Sequence, residues 1–225
     1  RLLHEAGSPV VPSLTFNQQQ WHDNKESIME DALGRLELPL FIKPVCAGSS
    51  VGVKKVTRKE DFAESMDFAL QYDTRVIIEK AIDCREIECA VLGNENPAAS
   101  VLGEIISRHE FYSYEAKYID PEGAASKIPA PIDMSLADLI RKTAVQGYLA
   151  LGCSSMARVD FFLDKKTDKF YINEINTLPG FTSISMYPKL WEATGLKYSD
   201  LLDRLIELAL DRHQRKLAIK TDWVN

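Results

Sequence analysis

The stretch "MARVDFFLDKKTDKFYINEINTLPG", residues 156–180, reads as two strands around a polar turn at 164–168. Alternate residues of a strand project to one side. Arg158, Asp160 and Phe162 therefore share one face of the first strand, and Ala157, Val159, Phe161 and Leu163 form its apolar side. On the second strand Ile172, Glu174 and Asn176 are expected to share a face, with Asp160 close to opposite Glu174. Like charges facing each other across a strand pair repel. Arg158 could neutralise one carboxylate as an ordinary salt bridge. A hard divalent cation such as Mg²⁺, which takes carboxylate and amide oxygens, would instead bridge both. An isolated Arg-x-Asp reads as the salt bridge. Adding Glu174-x-Asn176 and the Pro179–Gly180 turn makes the set read as a metal site.

Outward from this hairpin, "REIECAVLG" (85–93) turns at "NENP" into "ASVLGEIIS" (99–107), a second predicted hairpin. Between them lie a long aperiodic segment, 111–131, and a helix over 135–151. That helix is expected to bury Leu136, Leu139, Ile140, Thr143, Ala144 and Gly147. A terminal helix is expected over 199–212. Loops as long as 111–131 are usually functional or disordered.

In the first half, "RLLHEAG" closes a helix at Gly7, and strands are expected at 10–16, 38–45, 51–56 and 75–82. Helices are expected over 25–36 and 58–72, the second burying Phe62, Met66 and Ala69. The fold class is α+β, in two units, residues 1–83 and 84–225.

Composition narrows the function. With 225 residues, 45% apolar, 27% charged and a net charge of −6, the chain reads as a soluble globular protein. It does not read as a nucleic-acid or membrane-surface binder. Its basic run, "RHQRK" (212–216), falls at a helix end, where cations suit the dipole. The four cysteines show no CxxC pair, which fits reduced thiols in a cytoplasm. The chain starts at Arg1 inside a helix tail, so a longer protein is expected.

Three further features carry chemistry. Lys43 sits among apolar neighbours in "PLFIKPV", and a half-buried lysine needs an anionic partner. The following Gly48–Ser49–Ser50 loop offers backbone N–H groups of the kind that form anion-binding concavities. Together they suggest a phosphate, although "GxxxxGK[ST]" is absent and a strand follows the loop. Glu79 and Glu86 flank the connector "EKAIDCRE", which reads either as an exposed link with scattered charges or as a grip on a nucleotide base and ribose.

The ordered set "FIKPVCAGSSVGV", "VIIEKAIDCREIECAVLG", "FYSYEAKY", "LGCSSMARVDFFL" and "NEINTLPGFTSISMYP" resembles the D-alanine–D-alanine ligase family of the ATP-grasp superfamily. The resemblance spans nearly the whole chain. It implies an ATP-grasp fold, two α+β subdomains clamping ATP, without the family's N-terminal domain. It also implies a cytoplasmic enzyme, a homodimer at full length, that joins two D-alanines for peptidoglycan through an acyl phosphate. By the same resemblance Lys43 and Lys117 contact ATP phosphates, with Ser49 and Ser50 folding over them. Glu79, the backbones of Lys80 and Ile82, and Glu86 hold adenosine, while Phe111 and Phe162 sandwich the adenine. Asp160, Glu174 and Asn176 bind two Mg²⁺ (or Mn²⁺) ions, and Arg158 and the Gly180 N–H supply oxyanion donors. Ser185 and the Met186 N–H hold the second substrate's carboxylate. Ser49 and Tyr118 link to a glutamate of the N-terminal domain. Ala47 stands where many members carry a polar residue. Two rival readings are a D-alanine–D-lactate ligase, against which Tyr118 speaks, and a non-catalytic nucleotide-binding fragment, against which the complete Arg158–Asp160–Glu174–Asn176 set speaks.

Overall fold

The computed structural model describes residues 1–107, 124–182 and 184–220. Among these residues the chain separates into two compact units. The smaller consists mainly of Val11–Asp83; the larger holds Arg1–Val10, Cys84–Ile105 and the described residues from 126 onward. Residues 1–10 thus depart from the division expected at residue 83. The cause is local: Val10 bridges Ile172, and the Ile172 N–H donates to the Pro9 carbonyl at 2.8 Å. The strand expected at 10–16 accordingly starts later, as β1 (Ser13–Asn17).

The smaller unit is a four-stranded antiparallel sheet in the order β1–β4–β2–β3, with β2 (Leu40–Pro44), β3 (Lys54–Val56) and β4 (Arg75–Lys80). Leu40, Ile42, Val76 and Ile78 point into its core. There they meet Ile28 and Ala32 of the helix Lys25–Leu36, and Phe62, Met66 and Ala69 of the helix Phe62–Ala69. The latter is shorter than expected, because a 3₁₀ turn, Lys59–Asp61, precedes it; Arg58 grips Asp61 there at 3.0 and 2.8 Å. β3 is short for a backbone reason. Ser49, Ser50 and Gly52 all have positive φ (54°, 59° and 74°), so the chain turns at 48–53 instead of extending. At Gly52 a side chain would also strike Pro44 and Tyr72, 2.6 and 2.7 Å away.

The larger unit is a five-stranded sheet in the order β7–β6–β5–β8–β9. Its strands are β5 (Cys84–Leu92), β6 (Ala98–Ser107), β7 (Ala124–Lys127), β8 (Met156–Asp164) and β9 (Phe170–Asn176). One face carries Ile87, Cys89, Val91, Val159, Phe161 and Leu163, packed against the helix Met134–Ala150. That helix buries Ile140, Thr143, Ala144, Gly147 and Tyr148. Leu139, expected inside, is 52% exposed, because it lies about 100° around the helix from Ile140. Tyr148 takes the place at the core, its hydroxyl donating to the Gly93 carbonyl at 2.6 Å. Against the other face packs the helix Met186–Ala193. A side chain at Gly103 would collide with its Met186 and Leu190, so glycine on β6 lets this helix lie close. The terminal helix, Tyr198–Leu217, runs past the expected end at 212. No described helix is long and apolar enough to cross a membrane.

One ion pair ties the sheet to the segment entering the helix Met134–Ala150. Arg85 on β5 grips Glu104 on β6 through two 2.8 Å bonds and also donates to the Pro131 carbonyl at 3.1 Å. The Arg85 hydrogen bond and charge outweigh burial and hold the Glu104 carboxyl below its ordinary range. We predict that Glu104→Gln destabilises the larger unit by about 2 kcal/mol at pH 7, since it leaves Arg85 with a weaker partner. A depressed folded pKa means the pair's contribution is full above the unfolded value, about 4.3. It is lost as pH falls through the folded value. Urea unfolding of parent and variant should therefore differ at pH 7, and the difference should shrink below the unfolded value and vanish once the pH lies under the depressed folded value. A constant difference would mean that the charge of Glu104 is not what matters.

Candidate active site

The site is a consequence of strand register. Across β5, β8 and β9, Glu88 pairs with Asp160 and Asp160 with Glu174. One step along, Ala90 pairs with Arg158 and Arg158 with Asn176. Directly paired residues share a face, so three carboxylates lie in line across neighbouring strands. They grade outward from Glu88, buried on the central strand β5, to Glu174, exposed on β9. On the other side of Glu88 the row continues into Gly103.

Arg158 organises this row. Its Nε and Nη2 each donate to one Asp160 carboxylate oxygen at 2.7 Å, and the same Nε lies 3.2 Å from Glu88 Oε2. Burial opposes the Arg158 cation, but the Asp160 hydrogen bond and charge, with Glu88 and Glu174 beyond, outweigh it and raise its pKa. The Asn176 amide donates to Asp160 at 3.0 Å and to Glu174 at 3.3 Å. Asp160 thus stands directly opposite Glu174, as the hairpin implied. Ile172 does not share their face. The register shifts by one residue between Asp160 and Phe161, which sets Ile172 against Phe161 in the core, 2% exposed. A bulge of this kind reverses the side of every residue beyond it.

Glu88 was not among the residues singled out from sequence. The period-two reading of "REIECAVL" puts it beside Glu86, but β5 joins β8 across some seventy residues and no local signal sets that pairing. Glu86 and Phe162 are themselves register partners, next along the same face from Glu88 and Asp160.

Beyond β9 the chain folds back on itself. Ser185 Oγ accepts from the Thr182 N–H at 3.0 Å and lies 2.9 Å from the Thr182 hydroxyl. Ser185 is the N-cap of the helix Met186–Ala193, yet its side chain makes no capping bond. The first-turn N–H groups, Met186 included, are therefore not capped by it. A Cβ at Gly180 would sit 2.9 Å from Ser185 Oγ, so Gly180 and Ser185 are immediate neighbours.

In the smaller unit Lys43 does have an anionic partner, and it is Glu79: the two half-buried side chains form an ion pair on the sheet face opposite the core. Ser49 and Ser50 form the left-handed corner of the glycine loop, where the Val51 N–H donates to the Gly48 carbonyl at 3.1 Å. The Lys80 N–H donates to the Pro12 carbonyl at 3.1 Å. Ile82 lies in the link that follows β4. Phe111, Lys117 and Tyr118 lie outside the described residues.

Known proteins resemble this chain in sequence and in fold. Residues 2–207 match the family model for the D-ala D-ala ligase C-terminus. D-alanine–D-alanine ligase A of Escherichia coli K12 is 53% identical over 98% of this chain and 60% of its own length. The Bradyrhizobium diazoefficiens ligase A is 46% identical over 100% of the chain and 61% of its own length. Among solved structures, the D-alanine–D-alanine ligase of Coxiella burnetii superposes with a TM-score of 0.83 at 41% identity, covering 96% of this chain and 56% of that one. The VanG D-Ala:D-Ser ligase of Enterococcus faecalis gives 0.80 at 40%, covering 92% and 59%. The chain spans about 60% of the length of the curated relatives it matches. Its α+β architecture is the ATP-grasp fold of these ligases, and the chain belongs to the D-alanine–D-alanine ligase C-terminal family.

Proposed function

We propose that this chain is the nucleotide-, metal- and acceptor-handling part of an ATP-dependent ligase that joins two D-alanines into D-alanyl-D-alanine. The observation that carries the reading is the row Glu88–Asp160–Glu174 held around Arg158, with Asn176 against Asp160 and Glu174.

The donor set fits Mg²⁺ or Mn²⁺. It is all oxygen once the Asn176 amide turns over, and three carboxylates against one guanidinium leave the row a negative excess that suits a divalent ion. Among the described residues no three acidic, imidazole or thiol groups are gathered tightly enough to hold an ion as they stand. Asp160 has first to turn from Arg158. When bound, such ions would neutralise the ATP phosphates and polarise the transferring phosphoryl group.

In this reading Asp160, Glu174 and Asn176 hold the metal ions. Glu86 and Phe162, next along the face, take ribose and adenine; Lys43, Glu79, Ser49 and Ser50 carry the nucleotide roles that the family resemblance gives them. The first D-alanine's carboxylate oxygen attacks the γ-phosphorus and ADP leaves. The second D-alanine's amine then attacks the acyl phosphate carbonyl, the bond to the phosphate oxygen breaks, and the amine sheds its proton. The Nε–Nη2 edge of Arg158 is the one a carboxylate takes, Asp160 in this structure; the other guanidinium N–H groups and the Gly180 N–H are assigned to the oxygen on which charge develops. Ser185 and the Met186 N–H receive the acceptor's carboxylate at the positive end of a helix.

Two experiments test this. Glu174 is exposed and outside the Arg158 clamp, so Glu174→Gln should preserve the fold. Calorimetry should show ATP binding in Mg²⁺ weakened at least about tenfold, 1.4 kcal/mol. Unchanged affinity would reduce the row to a salt bridge. In the intact ligase, Ser185→Ala should raise the KM for the acceptor D-alanine about tenfold, with kcat changed much less. Equal losses in both would place Ser185 in the chemistry rather than in acceptor binding.

A further inference from the structure

Glu88 has no part in the roles assigned above, yet it is the most buried carboxylate of the row, 7% exposed. Burying a carboxylate is costly unless it is paired, and what it meets here is Arg158. The Arg158 Nε–H donates to Asp160 Oδ1 at 2.7 Å, and Glu88 Oε2 lies 3.2 Å from the same nitrogen as an ion-pair contact rather than a hydrogen bond. Asp160 uses both carboxylate oxygens on Arg158, so a cation ligated there would compete with the guanidinium for the same two oxygens and would lie close to its positive charge. If Asp160 turned to a metal ion with no other carboxylate in reach, a buried guanidinium would lose its counter-charge beside a new double positive charge. The register gives Asp160 one acidic neighbour on each side, exposed Glu174 and buried Glu88.

Building on the proposed metal site, we propose that Glu88 is a positioning residue: it takes over the Arg158 guanidinium when Asp160 turns to a divalent cation. Arg158 stays in place beside the row, and Asp160 is released without stranding a charge. Glu88 is the inner neighbour of Asp160 in register, so the exchange needs side-chain rotation alone.

The test is a Mn²⁺ titration in the presence of ATP, followed by the free-ion electron paramagnetic resonance signal, together with melting curves recorded without metal. Glu88→Gln should raise the half-saturating Mn²⁺ concentration five- to tenfold. In an Arg158→Met background the same substitution should change it less than twofold, because Glu88 acts through Arg158. An equal effect in both backgrounds would show Glu88 acting on the ion by its own charge and would overturn the proposal. So would a lowered melting temperature with unchanged Mn²⁺ half-saturation, the mark of packing alone. Should Arg158→Met fail to fold, the Arg158 Nε–H resonance decides. On addition of Mg²⁺ and ATP it should stay sharp in the parent and broaden in Glu88→Gln; identical behaviour in both overturns the exchange. A parent that binds no Mn²⁺ at all overturns the metal site itself, and is distinguishable because every variant then reads the same.

Discussion

Repulsion among Glu88, Asp160 and Glu174 is the constraint around which the larger unit is organised. Carboxylates at successive register positions on three paired strands oppose the pairing that brings them together, and two of the three are withdrawn from water. A single guanidinium makes the arrangement tolerable. Arg158 takes Asp160 in a two-bond clamp and lies against Glu88, and such planar, two-pronged pairing is what arginine offers and lysine does not. Buried ion clusters are poor sources of stability compared with apolar packing of equal volume. Three strands that carry such a cluster are better explained by what the cluster does than by what it stabilises.

The surrounding packing compensates. β5 is covered on both faces, by the core under Ile87, Cys89 and Val91 on one side and by the helix Met186–Ala193 on the other. Burial of Ile87–Leu92 is therefore continuous rather than alternating. Gly103, next in the row after Glu88, admits that helix. Its N-terminus and the Gly180–Ser185 contact thus belong to the same face as the carboxylates. On β9 the register shift turns Ile172 into the core while Glu174 and Asn176 stay on the site face. The apolar anchor and the polar ligands thereby sit on one short strand.

How much of this was legible depends on distance along the chain. A hairpin's register follows from its turn, so Asp160 opposite Glu174 could be read from twenty-one residues, and period-two alternation placed Val159, Phe161 and Leu163 inside. The bulge that displaces Ile172 could not be read, because one extra residue leaves no mark in composition. Glu88 was hidden for a different reason: the β5–β8 pairing is non-local, and only that pairing makes a glutamate in "REIECAVL" part of the site. Leu139 shows the limit of helical periodicity, where a leucine at the edge of the apolar arc is decided by what covers it. The anionic partner of Lys43 was foreseen as a need, but a long-range partner on β4 supplies it within the protein.

That partner gives the two units a common device. In each, a basic side chain that the family resemblance assigns to the reaction rests on a carboxylate assigned to the same reaction: Lys43 on Glu79, Arg158 on Asp160. Each pair is half-buried or more, so the cost of taking its charges out of water arises at folding rather than at binding. A nucleotide or metal ion arriving at such a site exchanges one ion pair for another and does not have to strip two solvated ions. The net gain is then the difference between two strong interactions. It depends on the neighbour that receives the released partner as much as on the ligand's own contacts. Arg158 has such a neighbour within reach in Glu88.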